Sequence, residues 1–204
     1  MKFYIIAGES SGDLIGGFVM KAIQKKSKIL EFSGIGGPNM KEAGLESLFP
    51  MDQISLFGFL EVVPHIFRLK KLISNTVQDI LAQKPDVLIT IDSPGFTYRV
   101  AKKVREANPH IKLVHIVAPS VWVYKPERAK KYAALYDNLL TLLAFEPEYF
   151  IKEGMKSEFI GHPVLEQDFF KKSPAIRKEL QIEPDTVAIA VTPGSRKGEI
   201  AKHM

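Results

Sequence analysis

Residues 86–96 read Asp-Val-Leu-Ile-Thr-Ile-Asp-Ser-Pro-Gly-Phe, and this stretch decides the fold. Its apolar run has no polar alternation. That pattern predicts a strand over Asp86–Ile91 buried on both faces, as in a parallel sheet covered by helices. Asp92-Ser93-Pro94-Gly95 breaks the run, and helical spacing resumes over Phe96–Ala107.

The same unit recurs on either side. Upstream, the pattern predicts a strand over Lys2–Ala7 and a helix over Asp13–Lys26, on the spacing of Leu14, Phe18, Met20 and Ile23. A strand over Ile29–Ser33, a short helix over Asn39–Ala43 closed by Gly44, and a long amphipathic helix over Leu60–Gln83 follow. Downstream come a strand over Lys112–Val117, a helix over Pro126–Leu135 with Pro at its first position, and a strand over Leu139–Leu143. A helix over Glu146–Glu153 and a strand over Ser157–Ile160 complete the series. This alternation predicts an α/β, doubly wound, Rossmann-like parallel sheet over residues 1–164, with ligands beyond the carboxyl ends of its strands. Near Val164 the rhythm changes. A polar stretch from Glu166 to Pro174 reads as a linker, Ala175–Leu180 as a helix and Thr186–Val191 as a strand. Residues 165–204 are therefore expected to be a linker and the truncated start of a second Rossmann-like domain.

The composition is that of a globular protein: of 204 residues 46% are hydrophobic and 25% charged. The net charge of +5 favours an anionic partner without choosing among phosphate, nucleic acid and an acidic membrane. With no cysteine, disulfides and thiolate metal sites are excluded. The opening MKFYIIAGESSGD is too short and too soon broken for a signal peptide, and no apolar run reaches the roughly 18 residues of a membrane span. There is no basic-aromatic stripe of the kind a nucleic-acid binder carries.

The polar motifs sit after strands. Gly8-Glu9-Ser10-Ser11-Gly12-Asp13 suits an anion or polar ligand at a helix start, or else a structural turn capped by Ser11 or Asp13. Gly34-Ile35-Gly36-Gly37-Pro38 brings backbone close to a ligand or to another chain segment. Asp92, at the mouth of a buried strand, is placed to accept a proton from a sugar hydroxyl, or with Ser93 to cap the next helix. Ala118-Pro119-Ser120-Val121-Trp122-Val123-Tyr124 holds the single tryptophan on a loop fit for sugar or acyl contacts, or for a lid over the core. The basic run Lys125, Arg128, Lys130 and Lys131 is a phosphate contact or a solvated face. His162, in Gly161-His162-Pro163, ends the domain. Pro193-Gly194-Ser195-Arg196 combines loop N–H groups with a guanidinium, a phosphate-recognition set. Ser55–Ile73, apolar with basic neighbours, reads as an interfacial segment or as a helix buried against the sheet.

Taken in order, GESSGD, GIGG, TIDSPGF, APSVW, FIGHP and TPGSR resemble the motif series of the lipid-A-disaccharide synthases, over essentially the whole chain. The resemblance implies a GT-B architecture of two Rossmann-like domains facing across a cleft. It implies an inverting transfer that joins UDP-2,3-diacylglucosamine to 2,3-diacylglucosamine 1-phosphate, giving a β-1,6-linked disaccharide 1-phosphate and UDP. No cofactor or metal is implied, and the setting is the cytoplasmic face of the Gram-negative inner membrane.

Carried over residue by residue, the resemblance makes Asp92 the general base. It places Glu9, Ser11, Gly12, Asp13, Ser120, Trp122 and His162 with Ser195, Arg196 and Glu199 in substrate binding, Arg196 on the donor side. It assigns membrane contact to Phe57, Phe59, Leu60, Val62, Val63, Ile66, Phe67, Arg68, Lys70 and Lys71. Two departures stand out. Many relatives have an acidic residue where this chain has Gly95, and family members are considerably longer. The chain is thus expected to hold the acceptor half, to need a C-terminal half as partner and to be inactive alone. The competing readings are another UDP-sugar transferase or epimerase of the same fold, and a non-catalytic lipid-binding remnant on a membrane surface.

Overall fold

The computed structural model describes residues 1–26, 29–55, 62–166, 176–183, 185–192 and 200, with the backbone alone at 55, 62–66, 164 and 166. The chain divides into two compact units, Met1–Val164 and Leu165–Met204.

In the first unit the elements run β1 (Lys2–Ala7), α1 (Ser10–Gln24), β2 (Glu31–Ile35), α2 (Pro38–Glu42), α3 (Asp52–Ser55), α4 (Val62–Gln83) and β3 (Val87–Ile91). Then follow α5 (Pro94–Ala107), β4 (Lys112–Ile116), α6 (Arg128–Ala133), β5 (Asn138–Thr141), α7 (Pro147–Ile151) and β6 (Lys156–Phe159). Among the described residues the sheet has six strands, all parallel, in the order β2-β1-β3-β4-β5-β6. The chain winds outward from β1 to β2 and then returns to β3, so the strand order reverses between β1 and β3.

Both faces of the sheet are covered. Every residue of β3 is buried, as its unbroken apolar run requires. Tyr4, Ile6, Leu88 and Leu113 pack on one side with Leu69, Leu72, Ile73 and Ile80 of α4 and Val100, Ala101 and Val104 of α5. Phe3, Ile5, Ala7, Ile89 and Ile91 pack on the other with Ile15 and Met20 of α1 and Met40 of α2. The alternation along β1 and β3 is the two-residue side-chain period of a strand.

Polar groups pin the layers. Asp137 accepts from the Leu113 N–H at 2.7 Å and from Arg105 Nη2 at 2.7 Å. Burial alone would raise its pKa, but these donors outweigh it and hold the carboxyl below its ordinary value. The Tyr4 hydroxyl donates to Asp79 Oδ2 at 2.6 Å, and burial together with that carboxylate pushes its pKa up.

Element boundaries move by a few residues from those the sequence predicts. The first helix begins at Ser10 rather than Asp13, because extended Glu9 precedes a first turn whose Asp13 N–H already bonds the Glu9 carbonyl. The second strand is Glu31–Ile35, two residues on. The helix expected from Pro126 begins at Arg128; Pro126 sits in the preceding turn, its carbonyl accepting from the Ala129 N–H.

In the second unit, residues 176–179 are helical and the Leu180 N–H bonds the Ile176 carbonyl. The strand expected over Thr186–Val191 is not formed. Val187, Ile189 and Val191 are 75–84% exposed, and no described strand pairs with them. A strand exists only through its hydrogen-bonded neighbour, which an apolar run alone does not supply.

Candidate functional site

The reversal of strand order between β1 and β3 opens a crevice beyond their carboxyl ends, the place where open α/β sheets bind ligands. Two loops meet there. A Cβ on Gly8, after β1, would lie 2.4 Å from Ser93 Oγ and 2.9 Å from Ile54 Cγ2. Only glycine lets the β1 loop touch the β3 loop so closely. Glu9, half-buried, and Ser11, exposed, follow on the same loop and the first turn of α1.

Asp92 leaves β3 at this crevice, half-buried. Its backbone and that of Ser93 are both left-handed, at φ +48° each. Non-glycine residues rarely hold that conformation, and it marks functional sites when the surroundings enforce it. Here the Asp92 N–H donates to the Ile116 carbonyl at 3.0 Å, and Thr97 Oγ1 donates to the Asp92 and Ser93 carbonyls at 2.6 and 3.0 Å. Among the described residues the buried Ser93 hydroxyl has no hydrogen-bond partner, so the capping role open to it in the sequence is not taken.

A polar and aromatic layer lies on the α5–α6 side of Asp92. His115 Nδ1 is 2.7 Å from Thr90 Oγ1, which also reaches the Tyr136 hydroxyl at 3.3 Å. Tyr132 meets Tyr98 and Tyr136 in tilted contacts, each centroid 5.4 Å away, with those two rings edge-on to each other at 6.5 Å, and the Arg128 guanidinium sits 5.9 Å from its ring centre. Burial raises the Tyr132 pKa to about 12 against the pull of Arg128, and the charge of Asp92 adds to the rise. Asp92 and Arg128 therefore act electrostatically on the same phenol in opposite directions. This polar and aromatic layer was not read from the sequence; its members, Thr90 to Tyr136, are scattered over 47 positions, and the one signal was Tyr132 and Tyr136 four residues apart.

His115 is a structural histidine. Burial, aided by Arg128 and opposed by the Val117 backbone, pulls its pKa down to about 3. It stays neutral in the folded chain while the unfolded chain takes up a proton below about pH 6.5. Its contribution to stability is thus fully present above pH 6.5 and shrinks as the pH falls toward 3. By pH 5 the loss from this group is about 2 kcal/mol. Urea unfolding at pH 7 and pH 5 should resolve it, and His115→Gln should flatten the dependence between those values; an unchanged slope would show that His115 is not its source.

Other expected contacts are placed differently. Asp13 is a correction: it is 1% exposed and faces inward. Oδ1 accepts from the Gly37 and Met40 N–H groups at 2.7 and 3.0 Å, and Oδ2 from the Asn39 N–H and Nδ2 at 2.9 and 2.8 Å. The carboxylate caps α2 from α1 and is not turned to a substrate. Gly12 is likewise buried, packed on Ala7 and Ile91. The glycines after β2 serve this same junction: a Cβ at Gly37 would fall 2.9 Å from Asp13 Oδ2, and one at Gly34 would fall 1.9 Å from the Ile5 carbonyl oxygen.

On the loops after β4 and β5, half-buried Trp122 meets Phe145 edge-on at 5.0 Å and Tyr149 at 6.1 Å. Trp122 packs against the core from above while Phe145 is 47% exposed, so these rings cover the core on one side and offer an aromatic surface on the other. Ser120, beside Trp122, is exposed, and so is His162, after β6. On α4, Phe67 is 81% exposed, and Arg68, Lys70 and Lys71 are exposed with it. The described part of the segment is therefore a helix packed on the sheet through Leu69, Leu72 and Ile73, with Phe67 and the cations on its outer side. Val62, Val63 and Ile66 lie on α4 with the backbone alone described; Phe57, Phe59, Leu60, Ser195, Arg196 and Glu199 lie outside the described residues.

The family model described as lipid-A-disaccharide synthetase matches residues 3–204. The lipid-A-disaccharide synthase of Rickettsia bellii (strain OSU 85-389) is 59% identical over 204 residues, covering 100% of this chain and 53% of its own length. That of Rickettsia akari (strain Hartford) is 56% identical, covering 100% and 52%. The chain thus spans about half the length of the curated relatives it matches. Among solved structures, UDP-GlcNAc 2-epimerase from Neisseria meningitidis bound to UDP-GlcNAc aligns with TM-score 0.62 and 12% identity, covering 91% of this chain and 54% of that one. UDP-GlcNAc 2-epimerase from Methanocaldococcus jannaschii aligns with TM-score 0.59 and 17% identity, covering 90% and 54%. At such identities the likeness is one of fold.

Proposed function

Because the chain belongs to the lipid-A-disaccharide synthetase family, we propose that it is the acceptor-side half of a glycosyltransferase that makes the lipid A disaccharide. The observation that carries the reading is Asp92, held in a fixed left-handed turn at the crossover of the sheet and next to the Gly8–Ser11 loop. The acceptor is 2,3-diacylglucosamine 1-phosphate and the donor UDP-2,3-diacylglucosamine. Asp92 takes the proton of the acceptor's 6-hydroxyl as that oxygen attacks the donor's anomeric carbon. The bond from this carbon to the diphosphate oxygen breaks, and UDP leaves from the opposite face with the electron pair. Glu9 and Ser11 position the acceptor, and Trp122 with Ser120 borders it. His162, Ser195, Arg196 and Glu199 complete the substrate contacts, with Arg196 offsetting the charge that develops on UDP. No metal or cofactor takes part in the proposed steps.

The lipid substrates place the reaction at a membrane surface, the cytoplasmic face of the inner membrane. Among the described residues no helix is long and apolar enough to cross a bilayer. Exposed Phe67 beside Arg68, Lys70 and Lys71 supports contact with an anionic surface instead.

The test is disaccharide formation from the two lipid substrates, by the chain alone and with the C-terminal half of the Rickettsia bellii relative added. Turnover is expected only when both halves are present. Lipid binding without turnover in the paired sample would favour a non-catalytic role.

A further inference from the structure

Strands β3 and β4 leave the sheet at the same level. Ile91 is in register with Ile116, so Asp92 and Val117 are the next residues of neighbouring strands. Both are left-handed, at φ +48° and +78°. Their chemistry differs. Aspartate is enriched in that region, whereas a β-branched residue there is an outlier. Among the described residues Val117 is the one β-branched side chain with a positive φ. Its surroundings impose the conformation against its own preference.

The packing shows what the turn achieves. Along β4 the side chains alternate. Leu113 joins the α4–α5 face and Val114 the α1 face; His115 returns to the first, against Tyr132 and Tyr136, and Ile116 to the second. A regular strand would send Val117 to the α4–α5 face. Instead Val117 follows Ile116 onto the α1 face, half-buried, and Ala118, Val121 and Trp122 pack on the other. The turn therefore carries the next loop to the face that holds the tyrosine layer.

That loop is compact. The Val121 N–H donates to the Pro119 carbonyl at 2.6 Å, and the Val123 and Tyr124 N–H groups donate to the Ser120 carbonyl at 3.2 and 3.0 Å. At its far end Lys125 is again left-handed, at φ +52°, but exposed. Only Val117 ties the loop to the sheet: its N–H donates to the Leu140 carbonyl at 3.1 Å, and its carbonyl accepts from the His115 ring. One residue earlier, the Ile116 carbonyl accepts from the Asp92 N–H at 3.0 Å. The two loops thus leave from adjoining rungs of one hydrogen-bonded ladder.

We propose that Val117 is a positioning residue, whose strained backbone sets the Ser120–Trp122 loop against the Asp92 turn in the alignment that the transfer needs. Its catalytic consequence rests on the function proposed above; its conformational role rests on the fold alone.

Trp122 is the single tryptophan of the chain, so its fluorescence reads this loop directly in the 204-residue protein. Val117→Gly admits conformations that valine does not and removes the side-chain anchor. It should shift Trp122 emission to the red, with a roughly twofold rise in acrylamide quenching. Val117→Ile keeps the branched Cβ and should leave both unchanged. Val117→Ala reads the strain. At a negative φ alanine is the more stable of the two small residues, so a Gly variant that unfolds at higher urea than the Ala variant identifies the left-handed backbone. In the chain paired with the C-terminal half of the Rickettsia bellii relative, Val117→Gly should lower kcat by roughly tenfold or more, as a small misplacement away from the chemistry does. Val117→Ile should stay within about threefold. Unchanged Trp122 fluorescence in the Gly variant, an Ala variant more stable than the Gly variant, or a paired Gly variant as active as wild type would each overturn the proposal. A Gly chain that does not fold overturns it too, since glycine is the residue this backbone favours. A wild-type pair without turnover counts against the proposed function, and the fluorescence and urea results then decide the role of Val117 by themselves.

Discussion

Asp92→Asn is expected to lower disaccharide formation by roughly 10²- to 10⁴-fold, the usual contribution of a positioned general base, with acceptor KM and thermal stability near wild type. The substitution isolates basicity because of where Asp92 sits. Its φ of +48° is a conformation that asparagine tolerates about as well as aspartate and that most other residues resist. The bonds that impose the turn run through backbone atoms, from the Asp92 N–H to Ile116 and from Thr97 Oγ1 to the Asp92 and Ser93 carbonyls. These three bonds are independent of the carboxylate. Asp92→Ala should lose activity and also some stability, because alanine pays for the left-handed backbone without a polar side chain. The measurement is kcat and KM of the chain paired with the C-terminal half of a close relative. An Asn variant within about threefold of wild type would remove Asp92 from proton transfer and leave it a structural turn residue.

The fold was legible because its strands are continuous apolar runs. Val87–Ile91 and Lys2–Ala7 could hardly be anything but buried strands, and the alternation with helices then fixes a parallel sheet. What periodicity does not carry is partnership. The run around Val187, Ile189 and Val191 has the composition of a strand and, among the described residues, no neighbour to make it one. The same gap explains the mixed reading of the site. Asp92 was visible as a polar break after a buried run. The closeness of its neighbour Ser93 to Gly8, and the electrostatic effect of the Asp92 charge on Tyr132, come from the order in which strands lie side by side, and no single motif encodes that order. Asp13 looked like a ligand-binding or capping residue of its own helix because its partners, Gly37, Asn39 and Met40, stand 24 to 27 positions away.

That arrangement makes Asp13→Ala the substitution expected to destabilise the fold most, by about 3–5 kcal/mol. Removing the carboxylate strands the Gly37, Asn39 and Met40 N–H groups together with the Asn39 amide. A buried donor left unpaired costs about 1–3 kcal/mol, and water entering a vacated site recovers only part of the sum. These N–H groups are also the orphan donors at the start of α2, which has no side-chain cap of its own. The helix therefore depends on a residue from α1 for its first turn. Its anchor Met40 is fully buried among Ile5, Ile91 and Met20, so loosening α2 exposes one face of the sheet. Asp13→Asn should cost less, since one oxygen still accepts while the introduced amide meets donors of its own kind. Gly37→Ala should disturb the same junction without touching the carboxylate, because its Cβ would fall 2.9 Å from Oδ2. Urea unfolding of the three variants should therefore place Ala lowest at position 13, with Gly37→Ala destabilised in the same direction. The opposite result, an Asp13→Ala chain within about 1 kcal/mol of wild type that no longer binds acceptor lipid, would return Asp13 to the substrate and leave the capping bonds without energetic weight.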